Sequence, residues 1–131
     1  MIHSDSPMGS KKLILLEDEE VLGKLYTKAL EASGHQVMWL KSTEKLVKRV
    51  EEFLPDLILL DSTIRGEERS GVELIPDLQR ALPQIPIVVL SNYDQFQLEK
   101  MSHPTKHISY FLKIDTPPNV LLKKLQGLFS N

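Results

Sequence analysis

The sequence contains no cysteine. Without thiols there is no disulfide framework, no Cys-based zinc site and no thiol nucleophile, and the composition suits a reducing compartment. Excess charge of either sign is also missing: 16 Lys+Arg against 18 Asp+Glu leave a formal net charge of −2. So weak a charge argues against nucleic-acid binding, which usually needs a basic face. No apolar run approaches the roughly 20 residues of a membrane span. The start, Met1 to Ser10, lacks the hydrophobic stretch of a secretory signal. The expectation is a cytoplasmic chain that binds neither nucleic acid nor membrane. What is present is 131 residues, 41% hydrophobic and 26% charged, enough for one globular domain around one core. Residues 1–10 read as a flexible leader and 11–131 as the domain.

From Lys11 onward, short apolar runs alternate with helical periodicity. Leu13-Ile14-Leu15-Leu16 is the first run and ends in Glu17-Asp18-Glu19-Glu20. Continuous apolar runs of this length suit strands buried on both faces, as in parallel sheets. Val21, Leu22, Leu25, Ala29 and Leu30 then recur at helical spacing up to Gly34, a natural helix stop. Val37 to Leu40 predicts a second strand. Ser42 is placed to cap a helix carrying Leu46, Val47, Val50 and Phe53. Leu57-Ile58-Leu59-Leu60 leads into Asp61, and a polar loop from Ser62 to Gly71 precedes a short helix through Leu74, Leu78 and Leu82. Pro76 should kink that helix or delay its start. Pro86 to Leu90 predicts the fourth strand, residues near Gln95 to Met101 a fourth helix, and Ile108 to Leu112 the fifth strand. Thr116-Pro117 is a cap-plus-first-position pair for a last helix with Val120, Leu121, Leu125, Leu128 and Phe129.

Strict alternation of five strands and five helices, (βα)5, implies an α/β doubly wound parallel sheet. In such sheets chemistry sits outside the carboxyl ends of the strands, at the switch in strand order. The residues there are Glu17 and Asp18 after strand one, Asp61 after strand three, Ser91 after strand four and Lys113 after strand five. Three carboxylates packed together repel and raise one another's pKa. A hard divalent cation relieves this, and an oxygen-only set without His or Cys favours Mg²⁺ or Mn²⁺ over zinc. A carboxylate beside such a cation, an ammonium and a hydroxyl is equipped to be a nucleophile in phosphoryl transfer.

Leu15-Leu16-Glu17-Asp18-Glu19, Leu57 to Asp61, Ser70-Gly71-Val72-Glu73-Leu74, Val88-Val89-Leu90-Ser91 and Tyr110-Phe111-Leu112-Lys113 stand in this order. Together they resemble the successive signatures of the response-regulator receiver domains of two-component systems, from Lys11 to about Phe129. The resemblance implies a flavodoxin-like fold with strand order 2-1-3-4-5. It also implies a signalling or binding module rather than an enzyme, with Asp61 as phosphoacceptor. Glu17, Asp18 and Asp61 would hold the metal together with the backbone carbonyl of Thr63, Asp18 more directly than Glu17. Ser91 and Lys113 would stabilise the phosphoryl group, and Ser91 and Tyr110 would act as the switch pair. The implied partners are a sensor histidine kinase or phosphotransfer protein and a downstream protein reached through the fourth helix, fifth strand and fifth helix. A homodimer through the face around the fourth helix fits the same family.

Three positions depart from the family pattern. Ile114 follows Lys113 where a cis-proline is usual. Because a cis bond before a non-proline residue costs about 2.5–4 kcal/mol, a trans bond or a different local path is expected. The loop after Asp61 carries Arg65-Gly66-Glu67-Glu68-Arg69 and lacks the usual proline. Asn92 replaces a small residue, so Asn92 and Tyr93 are expected to modulate access to the phosphoryl site. Trp39 reads as packing. The rival readings are a receiver-like interaction module that is not phosphorylated, and an enzyme of similar topology. Against a flavin protein, no Gly- or Ser/Thr-rich phosphate loop follows strand one. Against an aspartate-nucleophile phosphatase, Thr63 stands where a second acidic residue would serve.

Overall fold

The chain is described by a computed structural model over residues 9–61, 72–91 and 107–129. Five parallel strands run β1 Lys12–Leu16, β2 Gln36–Leu40, β3 Leu57–Asp61, β4 Ile87–Ser91 and β5 Ile108–Leu112. They form one sheet in the order β2-β1-β3-β4-β5, the expected flavodoxin-like arrangement. The helices are α1 Glu20–Ala32, α2 Leu46–Phe53, α3 Ile75–Ala81 and α4 Pro118–Phe129. The helix expected near Gln95 to Met101 lies outside the described residues, as do Thr63, Asn92, Tyr93, the Arg65–Arg69 stretch and residues 1–8 of the expected leader.

The apolar runs are continuous because each strand is covered on both sides. Ile14, Leu16, Ile58, Leu60, Ile87 and Val89 pack with Leu46 and Val50 of α2 and Ile75 and Leu78 of α3. The intervening Leu13, Leu15, Leu57, Leu59, Val88 and Leu90 pack with Tyr26 and Leu30 of α1 and Leu121 and Leu125 of α4. Each such fully buried Leu or Ile contributes about 1.5–3 kcal/mol relative to exposure.

Local details correct four sequence expectations. In α1 the buried face is Gly23, Tyr26 and Leu30 with Leu22 behind them, whereas Val21 and Leu25 are exposed. The two stripes lie one residue apart, about 100° around the helix, and the 22-26-30 stripe gains the large Tyr26 ring. Helix α2 is not capped by Ser42. The chain turns through Ser42–Thr43 and enters α2 at Leu46, with Lys45 in the left-handed region at φ 63°. Thr116 does not cap α4 either: its hydroxyl donates back to the Leu112 carbonyl, and Pro118 takes the first helical position. The Pro117 carbonyl accepts from the Leu121 N–H. In β2 the strand starts one residue earlier than expected, at Gln36.

Other expectations hold. Gly34, at φ 95°, ends α1 as a Schellman turn in which its N–H donates to the Glu31 carbonyl and that of His35 to the Leu30 carbonyl. Pro76 delays the third helix: a single 3-10 turn at Val72–Leu74 comes first, and α3 begins with Pro76 in its first turn.

Candidate functional site

Strand alternation decides which side chains meet at the carboxyl edge. Leu13 and Leu15 face α1 and α4, and two residues further is Glu17. The same count leads from Leu57 and Leu59 to Asp61, and from Phe111 to Lys113. The sheet period thus delivers two carboxylates and one ammonium to one side of one edge. The Glu17 N–H still donates to the Leu40 carbonyl, extending the β1–β2 ladder by one bond and fixing the residue's orientation.

The three groups are in contact. Lys113 Nζ donates to Asp61 Oδ2 at 2.9 Å and to Glu17 Oε2 at 3.2 Å. It lies 3.0 Å from Glu17 Oε1. The Glu17 side chain is fully buried, Asp61 is 5% exposed and the Lys113 side chain 11% exposed. Glu17 Oε2 also accepts from the Glu19 N–H, whereas Oε1, although next to the ammonium, has no hydrogen bond aligned on it. Asp18 joins from the adjacent position. One carboxylate oxygen each from Glu17, Asp18 and Asp61 lie within 4.8 Å of one another.

This electrostatic arrangement is unbalanced. Burial, then the charge of Asp61, raises the Glu17 carboxyl to about 7 against the opposing pull of Lys113. Burial works against the Lys113 charge too, but the hydrogen bond and charge of Asp61, followed by those of Glu17, hold its pKa above the ordinary lysine value. One ammonium among three carboxylates leaves room for further positive charge, and an all-oxygen donor set with an unaligned buried oxygen fits a hard cation such as Mg²⁺.

Ser91 ends β4, is fully buried, and follows Leu90, the cross-strand partner of Asp61. Tyr110 is half-buried in β5 opposite Val89 and packs against the apolar cluster shared by α2 and α3. The Lys113–Ile114 peptide is trans, as expected, and Lys113 reaches both acids from a 3-10 turn at Lys113–Asp115.

Two contributors were not legible in the sequence. Trp39 does more than pack: its Nε1 donates to the Glu17 carbonyl at 2.8 Å and so pins the backbone of an acidic ligand candidate. The indole lies so close to α1 that a Cβ on Gly23 would overlap its Cζ2, which explains a glycine inside a helix. Tyr26 is 1% exposed, and its hydroxyl donates to the Thr116 carbonyl at 2.8 Å. Nothing local in the sequence marks either contact.

Known proteins resemble this chain along the same frame. The sequence model described as response regulator receiver domain matches residues 13–126. The alkaline phosphatase synthesis transcriptional regulatory protein PhoP of Bacillus subtilis is 31% identical over 86 residues, covering 66% of this chain and 35% of PhoP. The polar-differentiation response regulator DivK of Brucella ovis is 31% identical over 86 residues, covering 64% of this chain and 68% of DivK. Among solved structures, the BeF3-activated N-terminal receiver domain of Klebsiella pneumoniae RstA superposes with a TM-score of 0.72 at 30% identity, covering 92% of this chain and 99% of that one. Of the first curated relatives, such as PhoP, the match spans about a third of the length or less. No described helix is long and apolar enough to cross a membrane. With its sheet order, its edge of Glu17, Asp61 and Lys113 and a family match over residues 13–126, the chain belongs to the response regulator receiver domain family of two-component systems.

Proposed function

We propose that Asp61 accepts a phosphoryl group in a Mg²⁺-dependent transfer from a phosphohistidine of a sensor kinase or phosphotransfer protein. The observation that carries this is the bridging ammonium: Lys113 Nζ contacts Asp61 and Glu17 together, with Asp18 beside them. An Asp61 carboxylate oxygen attacks phosphorus and forms the P–O bond while the P–N bond to the donor imidazole breaks. The imidazole nitrogen leaves with the electron pair and takes up a proton. Lys113, already oriented on Asp61, neutralises charge on the transferring oxygens without having to reorganise. Glu17, Asp18 and Asp61, with the carbonyl of Thr63, are the residues that would hold Mg²⁺, which supplies further neutralisation of the phosphoryl oxygens when bound.

The modification adds about −1.5 to −2 charge to an edge that already carries excess negative charge. Ser91 is the hydroxyl available to hydrogen-bond the attached group. Its movement would free space for Tyr110 to turn, biasing a surface read by a downstream protein or by a second copy of the chain. Asn92 and Tyr93 are assigned to control of water and donor access, which makes loss of the phosphoryl group slower than with a small side chain at residue 92.

Incubation with acetyl phosphate and Mg²⁺ tests the assignment. The intact mass should rise by one phosphoryl group in the wild type and stay unchanged in Asp61→Asn. A wild type that gains no mass under saturating donor sinks the proposal.

A further inference from the structure

Most of the turn that carries Lys113 has little to hold it. Ile114 is 85% exposed and Asp115 is exposed as well, so neither side chain packs. The peptide after Lys113 is trans and followed by isoleucine, so proline ring geometry does not set the path. Thr116, the next residue, is fully buried. Its N–H donates to the Lys113 carbonyl at 3.1 Å, and its hydroxyl donates to the Leu112 carbonyl at 2.6 Å. Both bonds close the turn on itself. The remaining bond reaches outside: the Thr116 carbonyl accepts from the Tyr26 hydroxyl, across 90 residues of sequence.

Tyr26 sits on the buried stripe of α1, six residues into a helix whose entry is Glu17-Asp18-Glu19. The hydrogen bond therefore ties the segment carrying the acidic pair to the segment carrying the lysine. Burial, and then the charge of Glu17, raises the phenol to about 12, so the hydroxyl stays a donor throughout the neutral range. We propose that Tyr26 and Thr116 form a latch that positions Lys113 against Asp61 and Glu17, in place of a proline after the lysine. Tyr26 is a positioning residue: it acts through the turn and touches neither phosphoryl oxygens nor metal. The inference rests on the proposed role of Lys113 in phosphoryl transfer.

The test compares Tyr26→Phe, which keeps the ring and removes the donor, with Thr116→Ser, which keeps the hydroxyl and the carbonyl. The first readout is hydrogen exchange of the Lys113 ammonium by NMR, with sheet amides of β1 and β3 as internal reference. Loss of one net hydrogen bond corresponds to roughly a tenfold change, so exchange at Lys113 should speed up about tenfold in Tyr26→Phe. Sheet amides and the Thr116→Ser variant should stay as in the wild type. The second readout is the rate of phosphorylation by acetyl phosphate, expected to fall about tenfold in Tyr26→Phe with Mg²⁺ affinity unchanged. An unchanged Lys113 exchange rate overturns the latch. So does an acceleration shared equally by the sheet amides, which would reduce Tyr26 to a core residue. If the wild type takes up no phosphoryl group, the proposed function fails while the NMR comparison still decides the latch.

Discussion

The two ends of the sheet use similar residues for opposite purposes. At the amino edge, polar side chains close backbone bonds. Asp56 Oδ2 accepts from the Lys12 N–H at 2.8 Å while the Asp56 N–H returns to the Lys12 carbonyl, and His35 Nδ1 accepts from the Lys11 N–H. At the carboxyl edge, Glu17 and Asp61 face each other across one ammonium, and a buried Glu17 oxygen has no aligned donor. The first edge lowers its energy by tying backbone N–H groups to neutral or locally paired side chains, although His35 Nε2 is left without a hydrogen bond. The second stores unbalanced charge, which is what a cation or a phosphoryl group needs. Carboxylates at strand ends are therefore informative only with their partners attached.

Substitutions at the two edges should separate accordingly. Asp18→Asn should weaken Mg²⁺ binding by at least the roughly 10–100-fold expected for loss of a partner at a metal site, with little change in stability. Isothermal titration with Mg²⁺ checks this, and an unchanged affinity would remove Asp18 from the site. Gly23→Ala should destabilise by about 1–3 kcal/mol, since the new methyl overlaps the Trp39 ring that holds the Glu17 carbonyl. Urea denaturation measures it, and a neutral substitution would show that the indole moves freely. At the other edge, Asp56→Ala should cost about 0.5–1.5 kcal/mol in the same experiment while leaving phosphorylation by acetyl phosphate intact. A loss of phosphorylation there would break the contrast between the edges.

The smallest effect concerns His35. Burial, then the charge of Lys11, lowers its pKa below the ordinary 6.5. Protonation would also turn Nδ1 into a donor facing the Lys11 N–H. The unfolded chain takes up this proton first, so the stability contributed by neutral His35 is present above pH 6.5 and is lost as pH falls below it. In His35→Gln the decline should be shallower across that window. Parallel stability curves for the two proteins would contradict this reading.

The sheet was legible because its evidence is local. Runs such as Leu13–Leu16 and Leu57–Leu60 are unbroken only where both faces are buried, and their last residues mark the edge. That rule points to Glu17, Asp61 and Lys113 without reference to any family. Helix entries were less legible. Ser42 and Thr116 have the right chemistry for caps, but a left-handed Lys45 and a backward bond to Leu112 won in their places. The contacts of Tyr26 with Thr116 and of Gly23 with Trp39 join distant segments, so no local pattern carries them.

Asp61 as the phosphoryl acceptor can be tested at the residue itself. Borohydride reduction of the acetyl-phosphate-treated protein, followed by peptide mapping, converts an aspartyl phosphate to a distinct residue at its own position. This conversion should fall at residue 61 and require Mg²⁺. Conversion at another carboxylate, or none at all with donor in excess, would contradict it.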